Sequence, residues 1–280
     1  MPHPIARLAL PILGLCAAAF ATPASAQTTL EKIRLYAVSE SHQLIAVSAA
    51  DPQKITRSVT RYGLAPNERI LGIDYRVAYG VMFALGSSGR VFTVDVDSGA
   101  LQPVGDAPFA LALEGTRFGV DFNPAADALR VVSDAGQNLR IFLDNDRRAT
   151  KTAGQTITDL EINGGPANAE TTGAAYTNSF DGTSSTRLFD IDTFNNRLVQ
   201  QNANPGILTD VAPLGVDATE VNGFDIDPET NVGYALLTVG NSKGLYTVRI
   251  PDPAETLPIA TNAAALLGNV SISGNVIGLA

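Results

Sequence analysis

The sequence predicts an all-β fold, a five-bladed β-propeller, from three observations: a repeated glycine-led strand, a period near fifty residues, and chain ends that complete each other. The repeat is clearest at Gly119-Val120-Asp121-Phe122. Close echoes stand at Gly72-Ile73-Asp74-Tyr75 and Gly223-Phe224-Asp225-Ile226, and looser ones at Gly173-Ala174-Ala175-Tyr176 and Gly278-Leu279-Ala280. Successive first glycines lie 47, 54, 50 and 55 residues apart. A sheet of four short strands cannot bury both faces alone, so units of this length stack around an axis.

The elements follow in order within each unit. After a polar turn, β-rich runs at 81–85, 129–132, 188–191 and 233–237 supply second strands, and 91–96, 139–143, 198–201 and 245–250 supply third strands. Fourth strands are expected at 100–104, 149–152, 207–211 and 256–259. The first unit has only 34–38, 44–48 and 55–59, with no glycine-led strand before them. Its missing inner strand is expected at 275–280. Pairing this C-terminal strand with the N-terminal strands closes the ring and leaves no open sheet edge there. Ser87-Ser88-Gly89 and Asp97-Ser98-Gly99 read as hairpin turns in which glycine accepts positive φ. The longest connection is expected at 155–172, a mobile loop containing Asn163-Gly164-Gly165-Pro166, with a second polar excursion at 178–186. The 263–267 run is expected to lead into the closing strand, with at most one helical turn.

Residues 1–26 read as a secretory signal peptide: Arg7 in a short basic region, an apolar run from Leu8 to Phe20, and Ala24-Ser25-Ala26 before Gln27. The apolar run, broken by Pro11 and Gly14, is too short for a membrane span. The protein is therefore expected to be exported, to the periplasm or outside the cell, with 27–280 as a single propeller domain. Cys16, the chain's one cysteine, leaves with the leader, so neither a disulfide nor thiol chemistry is expected. The full chain has net charge −9, and loss of Arg7 makes the mature chain more acidic still. Such a surface disfavours nucleic acid and anionic lipid as partners. With no Trp and 6% aromatic residues, blade packing falls to Val, Ile, Leu and Ala.

Several runs carry a more specific likeness. Gly72-Ile73-Asp74-Tyr75-Arg76, Gly119-Val120-Asp121-Phe122-Asn123-Pro124, Ala174-Ala175-Tyr176-Thr177-Asn178 and Val221-Asn222-Gly223-Phe224-Asp225-Ile226 resemble domain-of-unknown-function family 4394, a family of secreted bacterial proteins. The run from Arg130 to Arg140, R-V-V-S-D-A-G-Q-N-L-R, is the most distinctive part. The resemblance covers nearly all of 27–280. It implies a secreted propeller-like protein and carries over no catalytic residues.

In a propeller, loops that enter the inner strands share one face with the turns between second and third strands. Here the entering loops bring Glu114, Arg117, Glu170, Glu220 and Asn222 to that face, and the turns add His42, Asp134, Gln137, Asn138 and Asn241. These side chains either bind a ligand, expected to be a small polar molecule, a carbohydrate or a protein, or only solubilise loops and hold turns. Two of the glutamates could serve a glycosidase-like hydrolase as acid and base, which requires carboxyls about 5–10 Å apart across one cleft. No motif marks a nucleophile elbow or a phosphate loop. Asp74, Asp121 and Asp225 share the third position of three inner strands and are expected near the axis. There they would hold a hard cation such as calcium, or accept backbone hydrogen bonds as a repeated structural device. No other cofactor is expected.

Overall fold

The computed structural model describes residues 30–41, 43–109, 112–143, 154–272 and 276–280. The expected leader with Cys16, His42 and the expected strand at 149–152 lie outside the described residues. Every regular element described is a strand: β1 (Arg34–Ser39), β2 (Gln43–Ser48), β3 (Asp51–Thr60), β4 (Ile70–Arg76), β5 (Val81–Gly86), β6 (Val91–Val94) and β7 (Leu101–Pro103) come first. Then follow β8 (Phe118–Asn123), β9 (Ala128–Ser133), β10 (Asn138–Ile141), β11 (Thr156–Thr158), β12 (Asn163–Gly164), β13 (Thr171–Tyr176), β14 (Leu188–Asp192), β15 (Arg197–Asn202) and β16 (Ile207–Pro213). The chain ends with β17 (Ala218–Ile226), β18 (Gly233–Val239), β19 (Ser242–Val248), β20 (Ala264–Asn269) and β21 (Val276–Leu279).

These strands form five antiparallel blades. In order of increasing distance from the axis they are β21-β1-β2-β3, β4-β5-β6-β7, β8-β9-β10-β11, β13-β14-β15-β16 and β17-β18-β19-β20. The inner strands β21, β4, β8, β13 and β17 pack against one another in a closed circuit. Closure is the expected one: β21 pairs with β1, and Tyr36 and Ala280 exchange both backbone hydrogen bonds, at 2.8 and 2.9 Å.

The structure corrects the expected strands at three places. The 155–172 connection is not a bare loop, because it contains β11, the outer strand of the third blade, and β12, which runs parallel to β16 on the fourth. Thr256–Ile259 is not a strand, and the fourth strand of the last blade is instead β20, in the run read as a possible helical turn. Pro251, Pro253 and Pro258 remove ladder donors from the segment ahead of it, whereas 264–269 is free of proline. A short Ala-Leu run has no period of its own to choose between helix and strand, and the open edge of β19 decides it. Finally, β17 begins at Ala218, so Glu220 lies in a strand opposite Thr238 rather than in an entering loop.

Alternating apolar side chains fill the spaces between blades. Phe83, Phe122, Val131 and Ile141 join the second and third blades, while Phe189, Ile191, Phe224 and Leu237 join the fourth and fifth. The third and fourth blades differ: their smaller apolar cluster has Val132, Ala174, Tyr176 and Leu188 buried, with Ile162 and Ala203 packed against them.

The repeated glycines set the width of the axis. A Cβ on Gly119 would lie 2.7 Å from the backbone nitrogen of Ala174, and one on Gly223 would lie 2.3 Å from that of Leu279. The channel lined by Gly72, Gly119, Gly173, Gly223 and Gly278 measures only about 20 Å³, room for about one water. Gly119→Ala is therefore expected to lower stability by about 1–3 kcal/mol through overpacking against backbone that cannot turn away. Gly268→Ala, whose nearest neighbour is 3.4 Å distant, should be close to neutral. Denaturant midpoints of the two variants check this.

Candidate functional site

Strand direction puts the loops entering the inner strands and the turns between second and third strands on one face, called the upper face here. The turn after β9 holds up the loop before β8. Asp134 accepts the Thr116 N–H at 2.8 Å and the Thr116 hydroxyl at 2.5 Å. Gln137 accepts the Glu114 N–H at 3.0 Å and donates to the Ala112 carbonyl at 2.9 Å. Partial burial works against ionising Asp134, but the Thr116 donors and the neighbouring Arg117 hold its carboxyl below the usual carboxylate range. Asp134 and Gln137 thus position the loop that presents Glu114 and Arg117.

Arg117 reaches across to Glu170 at 3.7 Å, with both side chains about two-fifths exposed. This ion pair links the third and fourth blades and neutralises one of the three glutamates. Glu220 is half-buried along β17, and Asn222 stands at the register shift between Val221 and Gly223, its side chain outside the described residues. Asn138 is not free to meet a ligand. It is buried, accepts from Arg130 Nη1 at 2.5 Å and donates to the carbonyls of Leu160 and Ala203.

A cavity of about 320 Å³ opens on the upper face beside the axis. Glu40, Arg61, Arg69, Ile70, Leu71, Thr116 and Ile277 line it, so the first, second and third blades all contribute. A shallower cleft over 61–69 adjoins it and shares Arg61 and Arg69. This segment connects β3 of the first blade to β4 of the second and falls outside the glycine-led repeat. An arginine at each end of a Gly-Pro-Asn loop was the available signal.

The axial aspartates do converge. One carboxylate oxygen from each of Asp74, Asp121 and Asp225 lies within 4.8 Å of the others. Asp74 accepts the Phe122 N–H at 2.6 Å and Asp121 accepts the Tyr176 N–H at 2.5 Å, each reaching the next blade's inner strand. At Asp74 and Asp121 the repeated aspartate is thus a strut between neighbouring blades. Ala175 occupies the same motif position in the fourth blade. Asp225 is half-buried, accepts the N–H of its own successor Ile226 at 2.7 Å, and lines a second cavity of about 490 Å³ on the lower face.

Crowding changes how these groups ionise. Burial pushes Asp74 up to about 6, against the lowering effect of its hydrogen bonds to Asp121 and to Phe122. Burial first, and then the charges of Asp74 and Asp225, push Asp121 well above the usual range. Burial and the Asp74 charge do the same to Asp225. Such a trio either shares protons or holds a cation.

Ring closure, blade order and the narrow glycine-lined axis define a closed five-bladed β-propeller. The chain belongs to the family described as Domain of unknown function (DUF4394), which matches residues 43–280. Among solved structures, it is similar to the β-propeller domain of Cps50 (Swd1) from Myceliophteria thermophila. The identity is 12% and the TM-score 0.44, over 86% of this chain and 69% of that one. No curated protein matches it.

Proposed function

We propose that this protein is an exported, non-catalytic binding platform whose upper face receives a small polar ligand. One observation carries the reading: the 320 Å³ cavity beside the axis, where three blades bring charged groups of both signs against an apolar wall of Ile70, Leu71 and Ile277. Concave sites with a few convergent polar groups on a rigid frame are the usual form of small-molecule sites. The arrangement of the glutamates counts against the hydrolase alternative, since Glu170 is paired with Arg117 and Glu220 is built into β17. The acidic composition favours a soluble ligand over nucleic acid, and the signal peptide expected at 1–26 favours the periplasm or the exterior as its place of work.

The test is saturation-transfer NMR against a mixture of neutral disaccharides, amino acids and small organic acids. At least one compound should give a signal that Leu71→Trp, which fills the cavity, removes without lowering the thermal midpoint. Aryl glycosides should stay intact. Hydrolysis that Glu114→Gln, Glu170→Gln or Glu220→Gln abolishes would overturn the platform reading, as would an empty screen.

A second reading, a calcium-stabilised scaffold, is favoured by the convergence of Asp74, Asp121 and Asp225. After chelation, added calcium would then raise the thermal midpoint by mass action, and Asp121→Asn would remove the shift. No shift in the parent protein would discard it.

A further inference from the structure

Buried arginines in this fold are matched by carboxylates. Arg76 makes a bidentate pair with Asp127, at 2.8 and 2.7 Å, and Arg130 meets Asp159 at 2.8 Å. Arg61 is the exception. Only 5% exposed, it donates Nη2 to the Ser39 carbonyl at 2.9 Å, and its Nε and Nη1 have no hydrogen-bond partner among the described residues. No carboxylate among the described residues lies within ion-pair distance of it. Burial lowers its pKa to about 10, which leaves it charged at neutral pH. An unpaired buried charge is among the costliest features a fold can hold, and it persists where something other than stability requires it.

Its surroundings say what that requirement is. Arg61 lines both the 320 Å³ cavity and the adjoining cleft, and so does Arg69, an exposed arginine with no ion pair among the described residues. Two arginines therefore line one space in a chain of net charge −9. Ile70, Leu71 and Ile277 supply the opposite character, a wall suited to a carbon skeleton. Thr116 lends its hydroxyl proton to Asp134, so the arginines are the strong donors at hand. Guanidinium groups favour carboxylates through charge-assisted hydrogen bonds.

We infer that Arg61 and Arg69 form an oxyanion site in the upper-face cavity, and that its ligand is a small organic carboxylate whose apolar body lies against Ile70, Leu71 and Ile277. The inference rests on the platform reading and names its ligand class. Glu40 at the rim disfavours di- and tricarboxylates, whose second charge would be repelled there.

The probes are hexanoate, 1-hexanol and inorganic phosphate, titrated by NMR and thermal shift against the parent protein, Arg61→Met and Arg61→Lys. Hexanoate should bind at least tenfold more tightly than hexanol, and more tightly than phosphate. Arg61→Met should lose at least tenfold in hexanoate affinity, while Arg61→Lys retains part of it. Without ligand, Arg61→Met should melt at or above the parent midpoint, because an unpaired buried charge has gone. Three results would overturn the inference: equal binding of hexanol and hexanoate, phosphate preferred over hexanoate, or Arg61→Met binding as the parent does. A sharply lower midpoint for Arg61→Met would also overturn it, by making Arg61 a structural residue. If no probe binds but Leu71→Trp still removes a signal from the neutral sugars, the platform reading stands and this inference alone falls.

Discussion

Asp121→Asn is expected to raise the thermal midpoint at pH 8 and to flatten a rise in stability expected of the parent protein between pH 8 and pH 5. The sign follows from linkage. Asp74, Asp121 and Asp225 have folded-state pKa values above the unfolded value near 4, so the folded protein binds more protons than the unfolded chain over that interval. The stability these groups contribute is fully present below about pH 4 and is lost as pH rises through about 6 for Asp74, and higher for the other two. At about 1.4 kcal/mol per unit, the shift of Asp74 alone is worth roughly 3 kcal/mol across that window. Asparagine at 121 keeps an oxygen for the Tyr176 N–H and offers an amide N–H to Asp74, so it replaces a buried charge at similar shape. Asp95, Asp134 and Glu255 have lowered pKa values and work the other way, losing stability as pH falls through their folded values. The optimum is therefore expected between about pH 4 and 6. Thermal melts in metal-free buffer from pH 4 to 9 check this. A parent protein that is most stable at pH 8, or an Asp121→Asn variant that melts lower there, would refute it. Added calcium competes with the protons for the same oxygens, so any calcium shift should grow as pH rises.

The ring was legible in the sequence because its constraint repeats. Gly72, Gly119 and Gly223 each stand where a neighbouring inner strand allows no Cβ, and the aspartate two residues on is a strut in two of those blades. A repeated contact leaves a repeated letter. Closure was legible for the same reason, since the first unit showed three strands without a glycine-led one and Gly278-Leu279-Ala280 repeated the glycine-led motif. What failed was unrepeated. Strand β20 is specified by the open edge of β19, and β12 by an excursion that returns along β16, and neither leaves a local pattern. The site was legible only as a face. Asp134 and Gln137 lie there as expected but are spent on holding a loop, and Asn138 is spent inside a blade interface. Arg61 was missed because an arginine at the start of a polar connection looks solvated. Its burial under the first two blades is a tertiary fact.

Arg130→Met is expected to cost about 3–5 kcal/mol, the largest loss of any single substitution considered, because it removes the hub of the polar network between the third and fourth blades. The guanidinium donates to Tyr176 Oη at 3.2 Å, to Asn138 at 2.5 Å, to Asp159 at 2.8 Å and to Asn204 at 3.3 Å. It thereby fixes the third blade to the inner strand of the fourth and to the turn between β15 and β16. Arg140 holds Asp159 from the other side at 2.7 Å, so that carboxylate keeps a partner when Arg130 is lost. Asp190 does not. It is fully buried with neither oxygen hydrogen-bonded among the described residues; burial pushes its pKa well above the usual range, and the charge of Arg130 is what opposes this. Asp190→Leu should therefore recover part of the Arg130→Met loss, giving a coupling of about 0.5–3 kcal/mol in a double-mutant cycle. Denaturant midpoints of the four proteins measure it. Additive losses would show that Asp190 does not feel Arg130. An Arg130→Met loss below about 1 kcal/mol would show that Val132, Ala174, Tyr176 and Leu188 hold this interface without the polar network. The stretch from Arg130 to Arg140, the most distinctive run in the sequence, is then distinctive because it replaces an apolar seam with a polar one, which no volume-conserving apolar exchange could imitate.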